Sequence, residues 1–538
     1  MAHAAALDAP ADDLAARLQA LMGSDRVEVD AAQRVFFSTD LAKRGETADA
    51  VVRVASTEEL SRLLAFCSAE KLTVIPRGGG FSYTGGYTPP AGRTVIVDMR
   101  GIDQIVEINA EDLYVRVGAG CTWHRLYETL KAKGLRTPYY GPMSGYNATI
   151  GGALSQGSLF LGSTEFGTTA DSVLSLEVVL ANGDVIHTGS DSSTGTQPFF
   201  RNYGPDLTGL FLGDTGALGF KTTATLKLIR WPEHQAFGSF AFERGPDGMA
   251  ALSEIGRAGI ATEAYCWDPF FVDAMSQAST GFQQDLSFLW GVVRNSAGIR
   301  DGVSAGVRIA LAGKSVFRKG SHIIQMTVDD HSRAGAAARL QKARAIALSH
   351  GAKELAPSVP MALRGTPFTN FNVPERRSTL RNLPTNSLYT HSRAPAALQA
   401  IRDLFEAERA EIERHGMQIG TIFFAVGRNA MTIEPLFYWE DPQHFHHNRV
   451  EQRSDLAGLD QHQEVPPATI YAMELREKLK RVMEAHGAVH VQIGRSYSYL
   501  QTREPRLAAL LADIKASLDP DNLVNPGSLG LGATKGNA

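Results

Sequence analysis

The residues with the clearest chemical signature lie in one short loop, Arg77-Gly-Gly-Gly-Phe-Ser-Tyr-Thr-Gly-Gly86. Five glycines in ten residues expose backbone N–H groups and allow positive φ where a side chain would forbid it. Successive amides of that kind form a concave anion site, and a pyrophosphate is a natural occupant. Two apolar strands, TVIP before and TVIVDM after, bracket the loop, which argues against a loose surface turn. Two further glycine clusters follow, Gly141–Gly152 and Gly204–Gly219. The common phosphate and hydrolase signatures are missing: no GxGxxG opens a helix after the first strand, and no GxxxxGK, HExxH or GxSxG occurs.

The elements around these clusters alternate strand, helix and glycine turn from about 50 to 230. Val51–Ala55 reads as a strand, and Ser56 with Glu59 as a capping box for the helix that follows. Strands are expected at 113–118, 174–180 and 221–229, with a helix at 123–134 closing on glycine. After Trp231-Pro232 the pattern shifts to longer helices and aromatic-rich strands: a strand at 322–330, an amphipathic helix at 332–351, helices at 395–415 and 470–486, and a strand at 431–439. The Pro-, Arg-, Asn- and Thr-rich stretch 356–395 reads as a long loop. The segment His490–Tyr499, if extended, sets His490, Gln492 and Gly494 on one face and Arg495, Tyr497 and Tyr499 on the other.

Composition limits the partners. At 538 residues the chain is too long for one core. A net charge of −4 gives no nucleic-acid footprint. No run of about 20 apolar residues suggests a membrane span, and the N-terminus reads as an amphipathic helix, not a signal peptide. Three scattered cysteines, Cys67, Cys121 and Cys266, fit buried thiols in a reducing cytoplasm. Cytoplasmic localisation is therefore expected.

In order and spacing, these motifs resemble the vanillyl-alcohol oxidase/p-cresol methylhydroxylase (PCMH) flavoproteins, which include D-lactate and glycolate dehydrogenases. The segments carrying the likeness are PRGGGFSYTGG, GCTWHRLYETL, GPMSGYNATIGGALSQG, FGTTADSVLSLEVVLANGDVI, GPDLTGLFLGDTGALGFKTTATLKLI and the terminal DPDNLVNPG. The resemblance implies an α+β fold: a PCMH-type two-subdomain FAD-binding domain (1–232), a cap or substrate domain with a mixed or antiparallel sheet and flanking helices (233–485), and a C-terminal segment returning to the FAD domain (486–538). It implies FAD as cofactor. Arg77, Gly78, Gly79, Gly80, Phe81, Ser82, Gly85 and Gly86 would cradle the pyrophosphate. Pro142, Ala148, Thr149, Gly151, Gly152 and Ser155 would line the ribityl chain and ring. Gly216, Leu218 and Gly219 would lie by the adenosine half, and Asn525 on the ring's other side. Phe81, Ser82 and Tyr83 stand where some members carry a linking histidine, so non-covalent FAD is expected; a link from the cap, with His444, His446 and His447 as one source, stays open. The resemblance further implies a small organic substrate, oxygen or an electron-acceptor protein as oxidant, and a homodimer.

The catalytic candidates are Arg495, Tyr497, Tyr499 and His490, in the segment where the family places active-site residues, with Glu434 as an acid from the cap. Ordinary strand packing is the alternative for the tyrosines, and a surface position for Glu434. The 2-hydroxy-acid branch of the family carries metal-binding histidines where this chain has Phe424 and Met431, with His490-Val-Gln in place of a later Glu-His-Gly. No metal site is therefore expected. The phenol-oxidising branch pairs Tyr and Arg with a carboxylate, whose position here is Ser155. Aromatic residues of the cap (Tyr265, Trp267, Phe270, Phe271, Phe437, Tyr438, Trp439) tip the expectation toward metal-independent oxidation of a CH–OH or phenolic benzylic group in an aromatic or apolar alcohol. The alternatives are a D-2-hydroxy-acid dehydrogenase using Arg428 and Arg495 as carboxylate partners, and a non-catalytic flavin-binding protein.

Overall fold

The computed structural model describes residues 11–90, 93–278, 320–368, 380–441 and 465–532. The first ten strands are β1 (Val27–Glu28), β2 (Ala50–Arg53), β3 (Thr73–Arg77), β4 (Thr94–Asp98), β5 (Ile105–Asn109), β6 (Tyr114–Gly118), β7 (Leu135–Arg136), β8 (Val173–Val179), β9 (Val185–His187) and β10 (Phe220–Lys227). They build two sheets and contribute to a small third. One has the order β1-β2-β4-β3, with β2, β4 and β3 parallel; the other, β5-β6-β10-β8-β9, is antiparallel throughout. Every residue of β4 is buried, as a parallel strand covered on both faces requires. The helix Thr57–Ala69 begins as half a capping box. Ser56 Oγ accepts the Glu59 N–H at 3.2 Å, while the Glu59 carboxylate accepts from Ala55 N–H at 2.8 Å and Arg26 at 2.9 Å. The helix Trp123–Lys131 starts on Thr122, and the chain turns out of it at Gly134, φ +67°.

The remaining strands are β11 (Ile229–Arg230), β12 (His234–Phe242), β13 (Glu263–Trp267), β14 (His322–Asp330), β15 (Lys353–Leu355), β16 (Leu380–Pro384), β17 (Ser387–Tyr389), β18 (Gln418–Val426) and β19 (Ala430–Glu440). β11 pairs with β7, and the other eight form one antiparallel sheet, β15-β12-β14-β13-β18-β19-β16, with β17 on β19. Helices Gly245–Ala258, Arg333–Ser349, Ala394–Ala407 and Pro467–Ala485 bury their apolar faces with this sheet in a single core. The α+β class and the antiparallel cap sheet are therefore present. The stretch 356–395 departs from the expected loop: its described residues hold the helix Ser358–Gly365 and strands β16 and β17. The prolines misled: Pro357 is the N-cap of that helix, and Pro384 ends β16.

The C-terminal residues return to the first sheet. Val74 N–H donates to Leu523 O at 2.8 Å and Asn525 N–H to Val74 O at 2.9 Å, setting this segment beside β3. A buried ion network ties β7 to the larger sheet. Asp329 Oδ2 accepts from Arg136 at 2.9 Å and Arg364 at 3.2 Å, and Arg364 also meets Glu263 at 3.2 Å. Both guanidinium groups lie about 4.3–4.4 Å from the Tyr140 ring centre. Among the described residues no helix is long and apolar enough to cross a membrane.

Candidate active site

A cleft of about 1210 Å³, measured out to its open mouth, runs between the glycine loop, the helix Ile150–Gln156, the start of β10 and the edge of the cap sheet. The loop lies flat against Asn147–Thr149. A Cβ on Gly79 would run into the Asn147 carbonyl, and one on Gly78 into Thr149 Oγ1; Gly80 has φ +79°. Among the described residues, no protein acceptor receives the amides of Gly78, Gly79 or Gly80, which border the cleft. Three adjacent N–H groups without a protein acceptor, on residues that border a cleft, are what a phosphate oxygen needs. A Gly79→Ala variant should therefore lose cofactor: overpacking of about 2–3 kcal/mol against the Asn147 carbonyl predicts at least about 30-fold weaker flavin retention, read as the flavin-to-protein ratio after purification.

The structure brings together Arg77, Gly78, Gly79, Gly80, Phe81, Ser82, Pro142, Ala148, Thr149, Gly151, Gly152, Ser155, Gly216, Gly219 and Glu434 as cleft-lining residues. Thr149 also caps the helix Ile150–Gln156, its Oγ1 accepting from Gly152 N–H at 3.3 Å. Four of the expected cofactor residues sit behind the lining. Gly85 N–H donates to Asp40 at 2.6 Å. Asn525 Nδ2 donates to Gly86 O at 2.8 Å and Thr215 O at 2.7 Å, clamping the loop from beneath. Leu218 is a core residue. Sequence reasoning missed Asp40, Tyr83, Gln156, Lys221 and Gln492, which also line the cleft. Gln156 is notable because both its side-chain N and O are buried without a partner.

At the cap end, Glu434 on β19 enters the cleft. No opposing charge offsets its desolvation, and burial raises its carboxyl to about 7. Tyr83, whose hydroxyl donates to Asn382 at 3.0 Å, stands on the same wall.

The other catalytic candidates are not cleft residues. Residues 490–499 form bends and turns, with positive φ at Gln492 and Gly494, so the expected strand alternation does not occur. Arg495 donates all five of its N–H groups to protein oxygens: Nη1 to Gly85 O and Thr88 O, Nη2 to Asn525 Oδ1 and Pro526 O, and Nε to Pro526 O. It braces the glycine loop and has no donor left for a substrate. Tyr497 is buried, accepts Asn386 N–H at 2.9 Å and stacks on His490 at 4.3 Å. Burial holds His490 down to about 4, so it is neutral at pH 7, with Nδ1 2.7 Å from Asn386 O. Tyr499 packs beside Arg503 and the core beneath the FAD-side sheets. Arg428 is exposed at the turn between β18 and β19. A residue not anticipated, Arg476, lies behind this wall: its Nη1 donates to Tyr83 O at 2.9 Å, and its guanidinium sits 5.3 Å from the Tyr497 ring centre. Its Nε and Nη2 are buried with no acceptor.

Residues 48–189 match the family model described as an FAD binding domain. The free amides of Gly78–Gly80 fall inside that span. Residues 48–189 are an FAD-binding domain. FAD is the cofactor this domain takes, and the residues present suit it: glycine amides without a protein acceptor for the pyrophosphate, on the same cleft as the buried Gln156 amide. The fold agrees. The structure resembles that of p-cresol methylhydroxylase with substrate bound, with a TM-score of 0.70 at 15% identity, covering 97% of this chain and 96% of that one. In sequence the chain is 35% identical over 222 residues to the glycolate oxidase subunit GlcD of Bacillus subtilis, covering 41% of this chain and 46% of that protein. It is 37% identical over 189 residues to the mitochondrial D-lactate dehydrogenase (cytochrome) of Arabidopsis thaliana, covering 35% of this chain and 31% of that protein. The matches thus span less than half the length of these relatives.

These relatives overturn the expected aromatic or apolar alcohol substrate. The likeness to a phenol-oxidising enzyme, at 15% identity, is one of fold, whereas the detectable sequence kinship is with proteins named for glycolate and D-lactate. The aromatic residues behind that expectation are mostly framework: Tyr265, Trp267, Phe437 and Trp439 are buried core residues. Phe424 and Met431 are buried too, and among the described residues no three His, Cys, Asp or Glu side chains group as metal ligands. His444, His446 and His447 lie outside the described residues.

Proposed function

We propose that the protein is an FAD-dependent dehydrogenase or oxidase of a small 2-hydroxy acid. The observation that carries this reading is Glu434, an uncompensated carboxyl raised to about 7 that shares one cleft with the free glycine amides. The kinship with glycolate- and D-lactate-oxidising proteins supports the substrate class. Bound FAD supplies the acceptor for the hydride leaving the substrate's C–H. Glu434 takes the hydroxyl proton, for which a base near neutral pKa is well matched. Arg476, with no carboxylate partner among the described residues, places positive charge behind Tyr83 and favours a substrate carboxylate. Tyr83 and Pro384 at the cap edge line that end of the cleft beside Glu434.

The test is acceptor-linked turnover of D-lactate and glycolate against propane-1,2-diol, which lacks the carboxylate. The acids should turn over and the diol should not; equal rates would sink the reading. At an effective dielectric near 20, charges about 8 Å apart still attract by ~2 kcal/mol. Arg476→Met should therefore raise KM for D-lactate about 30-fold with a much smaller change in kcat.

A further inference from the structure

Lys221 is an anomaly on a buried strand. Its side chain is 2% exposed, yet it borders the same cleft as the glycine loop. Among the described residues its ammonium makes one hydrogen bond, to Asp214 Oδ1 at 2.7 Å. Asp214 is already occupied by the chain: Oδ1 also accepts Gly216 N–H at 2.9 Å and Oδ2 accepts Leu218 N–H at 3.4 Å. An ammonium has three N–H donors, and among the described residues only one of them has a protein acceptor. Donors buried at a cleft wall without acceptors imply an acceptor that enters with a ligand.

The backbone is bent to make this arrangement. Thr215, a β-branched residue, adopts φ +54° between Asp214 and Gly216, a costly conformation for its type. The turn brings Gly216 so close to Pro76, next to the glycine loop, that a Cβ there would clash with the proline ring. Gly216 and Lys221, both bonded to Asp214, thus line the cleft together with Pro76, the residue that leads into the glycine loop. A cation with spare donors beside an amide nest is suited to anionic oxygens.

We infer that Lys221 is a cofactor-binding residue: oriented by Asp214, its ammonium donates to the adenosine-diphosphate half of FAD. This rests on FAD as the cofactor and is independent of the substrate. The experiment uses the full chain stripped of flavin, titrated separately with FAD and ADP, with wild-type binding of both as the control. Lys221→Met should weaken FAD and ADP alike by about 10- to 100-fold, and Lys221→Arg should recover most of that loss. Because Lys221→Met leaves Asp214 buried and unpaired, the double variant D214N/K221M, which removes both charges, is measured beside it, with thermal unfolding of the flavin-free forms. Weakened binding of both ligands by the double variant, at an unfolding midpoint near wild type, supports the assignment. Unchanged FAD and ADP affinity, or weakening of FAD alone, overturns it.

Discussion

Glu434→Gln should lower kcat for a 2-hydroxy acid by about 10²- to 10⁴-fold, the range that a general base contributes, while leaving the flavin-to-protein ratio unchanged. The expectation follows from position and charge together. Glu434 lines the cleft and no cation offsets its burial. It works as a base only when ionised, so the wild-type rate should rise as pH passes through about 7, and the glutamine variant should lose that rise. The stability effect has a definite sign. The carboxyl is raised in the folded state, so its contribution is fully present below the unfolded value and is lost as pH rises through about 7. Glu434→Gln should thus unfold at a higher temperature than wild type at pH 8, with little difference at pH 5. A variant that keeps the wild-type kcat and its pH profile would remove Glu434 from the chemistry.

Asp329→Asn should destabilise the protein by about 3–5 kcal/mol, the cost of taking one partner from a buried ion network. Asp329 is 7% exposed and receives Arg136 and Arg364 on one oxygen and Gln235 on the other, at 2.9 Å. Without its charge, two guanidinium groups are left beside Tyr140, with Glu263 meeting only Arg364. Because Arg136 belongs to β7 and Asp329 to β14, the loss falls on the seam between the FAD-side strands and the cap sheet. Urea unfolding monitored by flavin fluorescence and by circular dichroism would measure it, and a midpoint unchanged by the substitution would mean the network is stabilised from elsewhere.

Local signals made the framework readable. The strands at 73–77, 94–98, 114–118, 173–179 and 322–330 carry near-continuous apolar runs, and the helix at 123–131 shows its cap and closing glycine. The glycine loop was legible because its composition is its mechanism: free amides and positive φ need glycine. The opposite end of the cleft had no such marker. Glu434 reaches it from β19, Tyr83 from the loop, Gln492 from a turn and Arg476 stands behind from a helix, four segments with no common spacing. Arg495 illustrates the reverse failure. A lone arginine beside two tyrosines looks like an anion ligand, but four carbonyl and amide oxygens, taking five hydrogen bonds, converge on it only after the C-terminal segment folds back onto the loop. Lys221 left a faint trace, a charged residue within an otherwise buried strand, and its meaning depended on Asp214 seven residues earlier.

The central claim is that this cleft oxidises a 2-hydroxy acid at the expense of its flavin. Its most direct measurement is the flavin absorbance near 450 nm after anaerobic mixing with about millimolar D-lactate or glycolate, in wild type and in Glu434→Gln. The account predicts that at least one of these acids bleaches the wild-type flavin within seconds, that propane-1,2-diol does not, and that the variant bleaches at least about 100-fold more slowly. A flavin that stays oxidised with both acids, or that bleaches equally fast in the variant, would contradict it.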